Sequence, residues 1–215
     1  FSVTVVAQDV GANPIATYTG TIDFSISDIQ GILGDSSYTF QLADGGSKTF
    51  TGFDFRTAGN QSITVRDHND VAITGSDTVL VRSNVPTNIS IVNLTSNVTV
   101  GANYNPTVNA VDAYGNTATS YLGTIRLTST DTTLEQTYSL GDQGSQVFSN
   151  IQFTTAGPQN VIAVDISNPT FTDTVAVTVV TAGTVTDFVI NFPDTVIAGV
   201  DSGITIRAVD GRAHV

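Results

Sequence analysis

The chain has 215 residues, carries 19 acidic against 7 basic groups for a formal net charge of −12, and contains no Cys, Met or Trp. A charge of that sign repels phosphate backbones and anionic headgroups, which argues against nucleic acid and membrane surfaces as partners, and without cysteine neither disulfides nor thiolate metal sites exist. Ser, Thr, Val and Ile abound while Leu, Glu and Lys are scarce, a balance that favours pleated, half-buried strands and predicts essentially no helix; no apolar run approaches the roughly 18 residues of a membrane span.

The elements come in repeats. Asp9, Asn13, Tyr18, Gly20 and Ile22 return 103 residues on as Asp112, Asn116, Tyr121, Gly123 and Ile125. Phe50, Phe55, Thr57-Ala58-Gly59, Gln61 and Asp67 return 98 residues on as Phe148, Phe153, Thr155-Ala156-Gly157, Gln159 and Asp165. Gly101 and Ala110-Val111-Asp112 reappear as Gly199 and Ala208-Val209-Asp210, so a third copy begins. A period near 100 residues is long enough for each unit to hold its own core. Three stretches are therefore expected: residues 1–82, a copy lacking its first strand; residues 85–180, a complete copy; and residues 181–215, the start of a third. Phe1 aligns with Tyr104, well inside a copy, so further residues, a signal peptide among them, are expected upstream. The links Ser83-Asn84-Val85-Pro86-Thr87 and Thr181-Ala182-Gly183-Thr184 are short and restrict motion between copies, giving a semi-rigid rod.

The complete copy supplies the strands in order. Asn88–Asn93 places Ile89 and Ile91 on one face, and Val98–Val100 follows a polar turn. Thr107–Asp112 alternates Val108 and Ala110 inward with Thr107 and Asn109 outward. Asp112 to Asn116 is a turn cluster, after which Thr124–Thr128 alternates Ile125 and Leu127 against polar neighbours. Tyr138–Leu140 and Gln146–Phe153 flank Gly141-Asp142-Gln143-Gly144, predicted as a hairpin connection, with Ala43-Asp44-Gly45-Gly46 in its place in the first copy. Asn160–Asp165 and Thr172–Val180 finish the unit. Roughly seven strands in about 100 residues predict an all-β chain of tandem immunoglobulin-like β-sandwich domains. The recurring aromatics Tyr18 and Tyr121, Phe55 and Phe153 fit core positions better than an exposed sugar-stacking platform.

The residues Ala110, Asp112, Tyr114 to Ile125 and Phe153 to Val161 resemble the bacterial or archaeal immunoglobulin-like repeats of very long cell-surface and secreted proteins. The first copy departs from that pattern, with Gly11-Ala12-Asn13-Pro14 where the second has Tyr114-Gly115-Asn116-Thr117. The resemblance implies a spacer or adhesive stalk.

Catalytic signatures are missing: no Gly-x-Ser-x-Gly elbow, no Cys nucleophile, no His-Glu-x-x-His and no phosphate-cradling loop. Asp67-His68-Asn69-Asp70 reads as a polar turn. A Lys-to-Asn crosslink in each domain is ruled out because Lys48 is the only lysine, and nothing singles out a Thr–Gln pair for an ester link. If the turn loops share one pole, Asp112, Asp142 and Asp165 in the second copy, and Asp9, Asp44 and Asp67 in the first, are candidate ligands for calcium, which takes several carboxylate and carbonyl oxygens. The competing reading is that each aspartate forms its own turn. Asn60, Asn88, Asn93 and Asn97 head Asn-x-Ser/Thr triplets and are candidate glycosylation sites. The reading is therefore a non-enzymatic, extracellular or cell-surface structural protein whose tandem array forms an adhesin shaft, surface layer or filament and whose partners are other copies or neighbouring repeats. The competing reading is a carbohydrate-binding accessory module of a secreted enzyme, with surface glycans as partners. A decoration domain of a viral tail or capsid is a third.

Overall fold

The structure, a computed structural model, describes residues 1–181, 183, 185–191, 193–201 and 203–210. Ala182 and Thr184 of the second link, and residues 211–215 of the expected third copy, lie outside them. The described residues are strands joined by turns, with two single-turn 3₁₀ helices, Leu42–Asp44 and Leu140–Asp142. The chain is all-β, as its composition predicts.

In the first copy β1 (Val3–Val6) pairs antiparallel with β4 (Ser47–Phe50), and a separate sheet runs β3 (Ser37–Thr39), β2 (Thr21–Ile26), β5 (Gly59–Asp67), β6 (Thr74–Val81) in that spatial order. The second copy repeats the scheme with additions. Here β7 (Asn88–Val92), β10 (Thr107–Val111) and β13 (Ser145–Val147) form one sheet. A second runs β12 (Thr133–Thr137), β11 (Thr124–Thr128), β15 (Gly157–Asp165), β16 (Thr172–Val180), β8 (Asn97–Thr99). The short strands β9 (Asn103–Tyr104) and β14 (Ile151–Gln152) pair with each other. Past the second copy, β17 (Val185–Asn191) pairs antiparallel with β18 (Thr205–Asp210).

By compactness the chain forms two units. One takes Phe1–Ser90, Asn109–Gly123 and Thr137–Gln146; the other takes Ile91–Val108, Thr124–Gln136 and the described residues from Val147 on. Residues of the second copy are divided between them. The core of the first unit is built on Ile22, Phe24, Phe40, Phe50, Phe53 and Ile63, with Tyr18 and Phe55 half-buried against it. Phe24 meets Phe50 edge-on at 4.8 Å between centroids, the quadrupole-favoured arrangement. In the same unit Tyr121 and Tyr138 are buried and meet edge-on at 5.1 Å. In the second unit Ile125, Leu127, Val161, Ala163, Val177 and Val179 are buried at alternate positions of β11, β15 and β16, the period-2 pattern of a half-buried sheet.

The predicted hairpin around Gly141 to Gly144 is not one. Tyr138–Leu140 is no strand; the strand before the connection is β12, which is neighboured by β11, whereas β13 after it is neighboured by β10 in the other sheet. The connection crosses between sheets through a 3₁₀ turn, and the first copy does the same from β3 to β4. Its glycines have a different task. Gly46 and Gly144 lie at φ +70° and +75°, and a Cβ on either would run into a carbonyl oxygen, of Ile15 and Ala118 respectively. Only glycine fits there.

Candidate functional site

The polar chemistry of the first copy gathers at four aspartates, each embedded in a turn of its own. Asp9 accepts from the N–H groups of Gly11 and Asn13, both at 2.9 Å. Asp44 closes its 3₁₀ turn on the Gln41 N–H at 2.7 Å and also takes the Tyr38 hydroxyl at 2.9 Å and Lys48 Nζ at 3.3 Å. Asp67 accepts the Tyr18 hydroxyl at 2.5 Å and the N–H groups of Asn69 and Asp70, so Asp67 to Asp70 is indeed a polar turn. Asp28, only 4% exposed, takes the Thr57 hydroxyl at 2.6 Å, the N–H groups of Arg56 and Thr57 at 2.6 and 2.8 Å, and that of Gln30 at 2.9 Å. Burial by itself would raise the Asp28 carboxyl, but the Thr57, Arg56 and Gln30 donors outweigh it and hold the group well below the usual carboxylate range. The Asn13 N–H groups likewise lower Asp9, the Gln41 N–H lowers Asp44, and the Tyr18 hydroxyl lowers Asp67.

The second copy repeats these devices. Asp142 takes the N–H and hydroxyl of Ser139, both at 2.7 Å, and these bonds lower its pKa. Asp165 takes the N–H groups of Ser167 and Asn168 at 2.7 and 2.9 Å. Asp131, 103 residues after Asp28, accepts from the hydroxyls of Thr154 and Thr155 and from Gln159 Nε2 at 2.9 Å; Gln159 and the Thr155 hydroxyl contribute most to lowering it. Among the described residues no group of three or more His, Asp or Glu is placed to hold a metal ion. Each of the six candidate calcium ligands accepts hydrogen bonds from neighbouring N–H or O–H groups.

Asp112 and Asn116 go further than their counterparts Asp9 and Asn13. Asp112 Oδ1 takes the N–H groups of Tyr114 and Asn116, both at 2.9 Å, while its Oδ2 takes the N–H of Asn84 in the link, also at 2.9 Å. Although burial raises the Asp112 carboxyl, the Asn116 amide and the Asn84 N–H lower it more. Asn116 Nδ2 donates to the Arg56 carbonyl at 2.7 Å and Asn116 Oδ1 accepts from the Ala58 N–H at 2.8 Å. One amide thereby spans both polarities of a backbone turn some 60 residues upstream. The Arg56 guanidinium sits 5.3 Å from the centroid of the Tyr114 ring, a cation–π distance. Thr87 N–H donates to the Val111 carbonyl at 2.8 Å. Sequence reasoning found Asp112 and Asn116 as a turn; their attachment to Asn84, Arg56 and Ala58 is a long-range pairing that no spacing announces.

The candidate glycosylation residues Asn60, Asn88, Asn93 and Asn97 are all exposed. Asn93 lies at φ +61° and its amide donates to the Thr107 hydroxyl at 3.1 Å.

No family model matches the chain, and no curated protein matches it. Among solved structures it is similar to the Escherichia coli adhesin FdeC (18% identity, 83% of this chain and 59% of that one, TM-score 0.39). It is also similar to domains 4–9 of the surface layer protein SbsC (19%, 97% and 31%, 0.35) and to a β-glycosidase from Bacteroides vulgatus (9%, 74% and 21%, 0.39). The chain spans less than two thirds of each, and at these identities the likeness assigns no residue a role.

Proposed function

We propose that this chain is a length of a non-enzymatic, extracellular structural protein whose tandem immunoglobulin-like domains form the shaft of an adhesin, a surface layer or a filament. The observation that supports this best is the fastening around Asn116. Polar side chains that a binding module would turn outward to a ligand are here bonded to the chain's own backbone, at Arg56, Ala58 and the link residue Asn84. A link held this way is fastened at both Asn84 and the turn at Arg56 to Ala58, which suits a load-bearing shaft. The acidic turns are used up in the same manner, and a net charge of −12 keeps parallel shafts apart in solution.

The rival reading, recognition of a polysaccharide, would fall on the shallow groove of about 750 Å³ lined by Asn97, Thr128, Asn160 and Thr178 among others, which offers hydroxyls and amides but no aromatic ring for a sugar face. Two measurements decide. Small-angle scattering on the chain is expected to give a narrow distance distribution, and Asn116→Ala is expected to broaden it. A glycan array is expected to remain blank; saturable binding to one glycan, abolished by Asn160→Ala, would overturn the structural reading in favour of the binding one.

A further inference from the structure

In the second copy the segment by which the chain enters lies beside the strand by which it leaves. The chain comes in through β7 and β8 and goes out through β16, and β8 pairs with the end of β16 in parallel: Asn97 opposite Thr178, Val98 opposite Val179, Thr99 opposite Val180. Backbone bonds hold both ends of the pair, Thr178 N–H to the Ser96 carbonyl at 2.7 Å and Val100 N–H to the Val180 carbonyl at 2.8 Å. A third grip lies further back, where the Ile91 N–H donates to Asp173 Oδ2 on β16 at 2.7 Å.

β8 is also tied to the segments behind it. Thr99 N–H donates to the Tyr104 hydroxyl at 2.7 Å, Gly101 N–H donates to the Phe153 carbonyl at 2.9 Å, and the Tyr104 and Phe153 rings meet edge-on at 5.8 Å. Val98 is 1% exposed, and Val177 and Val179 are each 2% exposed. Because successive side chains point to opposite faces of a sheet, sliding β8 by one residue along β16 would turn Val98 out of the core. The pair therefore cannot yield by creeping in small steps.

Tension along a shaft acts on a repeat between the point where the chain enters it and the point where the chain leaves. For the second copy these are the start of β7 and the end of β16. The parallel pairing then decides how the load falls: β8 is drawn from its N-terminal end and β16 from its C-terminal end, which point opposite ways along one axis. The ladder is loaded in shear, so its bonds share the force and must break together. An antiparallel pair pulled apart at one end opens its perpendicular bonds one after another. We propose that the β8–β16 ladder is a tension clamp, which keeps the residues behind it, from Gly101 to Val177, folded while the chain is stretched. The proposal rests on the shaft reading for the direction of the load.

Single-molecule pulling on the whole chain tests it. The sequence has no cysteine, so introduced thiols fix the two points of attachment. Thr87→Cys with Thr181→Cys loads the clamp in shear. Ala156→Cys with Thr181→Cys attaches at one end of the antiparallel pair β15–β16, where Gly157 faces Val179, and unzips it. All three positions are exposed. At one loading rate the first geometry is expected to rupture at clearly higher force, since forced unfolding follows the unfolding barrier along the pulled direction. Its main step is expected to lengthen the chain by about 250–280 Å, the reach of residues 101–177 at about 3.3–3.6 Å each. Val100→Pro deletes one clamp donor and is expected to unfold about fivefold or more faster at fixed force along the first direction, with a smaller change along the second. Equal rupture forces in the two geometries, a main step far from that length, or a Val100→Pro rate unchanged along the first direction would each overturn the clamp. Such a failure would leave the shaft reading standing, because that reading turns on scattering and glycan binding; glycan binding would overturn the shaft reading and leave the measured difference between directions in place.

Discussion

The Thr57 hydroxyl donates to Asp28 Oδ1 at 2.6 Å, and the Thr155 hydroxyl makes the same bond to Asp131 at 2.7 Å. In both copies a carboxylate at the end of one strand thereby ties down the turn that opens the nine-residue strand β5 or β15. Because the donors hold the native Asp28 pKa below the value of roughly 3.9 it has in an unfolded chain, the lock contributes stability that is fully present above that value and is lost as pH falls toward the native pKa. Urea denaturation is therefore expected to give a flat stability from neutral pH down to about 4 and a fall below it. Asp28→Asn is expected to cost about 1.5–3 kcal/mol at neutral pH, the range for hydrogen bonds to charged groups, and to flatten the acid limb. An acid limb as steep as that of the parent chain would show that other carboxylates carry it.

Gly45 and Gly46 are neighbours with positive φ, at +59° and +70°, and only the second is crowded. Alanine at Gly45 meets open space and pays only the left-handed backbone, about 1 kcal/mol. Alanine at Gly46 adds a collision with the Ile15 carbonyl and is expected to cost about 3 kcal/mol or more, with Gly144→Ala behaving the same way against Ala118. Thermal melts of the three variants check the order; equal losses at Gly45 and Gly46 would mean that the backbone around Ile15 yields.

Much of the fold is legible in the sequence because a repeat states each strand twice. Val108 and Ala110, Ile125 and Leu127 alternate as a half-buried strand must, and the turn clusters at Asp9 and Asp112 fall where the spacing puts them. The connection at Gly141 misled because residues that accept positive φ suit a hairpin and a sheet-to-sheet crossover alike; what decides is the partner of each flanking strand, a long-range fact. The strand Thr133–Thr137 was hidden by its polar residues, Glu135 among them, on the edge of its sheet. Asp28 and Asp131 could have been found, since they stand 103 residues apart, the shift already seen for Asp9 and Asp112.

Calcium supplies a direct check on the acidic turns. Asp9, Asp44 and Asp67, like Asp112, Asp142 and Asp165, already accept hydrogen bonds from neighbouring N–H or O–H groups, with which a cation would compete for the same carboxylates. Millimolar calcium is expected to leave the melting temperature within error of that in chelator, for the parent chain and for Asp112→Asn with Asp165→Asn alike. A rise with calcium that the double substitution removes would show that these loops rearrange around an ion.

Asn116 offers the sharpest test of the fastening between copies, because its amide uses a donor and an acceptor on one backbone turn. Asn116→Ala removes both bonds, to the Arg56 carbonyl and the Ala58 N–H, and since the site is only half-buried, water recovers part of the loss; roughly 1–2 kcal/mol is expected. Asn116→Asp preserves the shape but sets an acceptor against the Arg56 carbonyl and a second negative charge beside Asp112, which Asn116 Nδ2 now contacts at 2.9 Å. It is expected to cost more than alanine at pH 7, the reverse of the order for a side chain that merely fills space. Protonation of the introduced carboxyl restores a donor, so the penalty should shrink as pH falls through the carboxylate range near 4. If aspartate and alanine prove equally costly at pH 7, with no convergence in acid, the amide does not bridge Arg56 and Ala58 in solution.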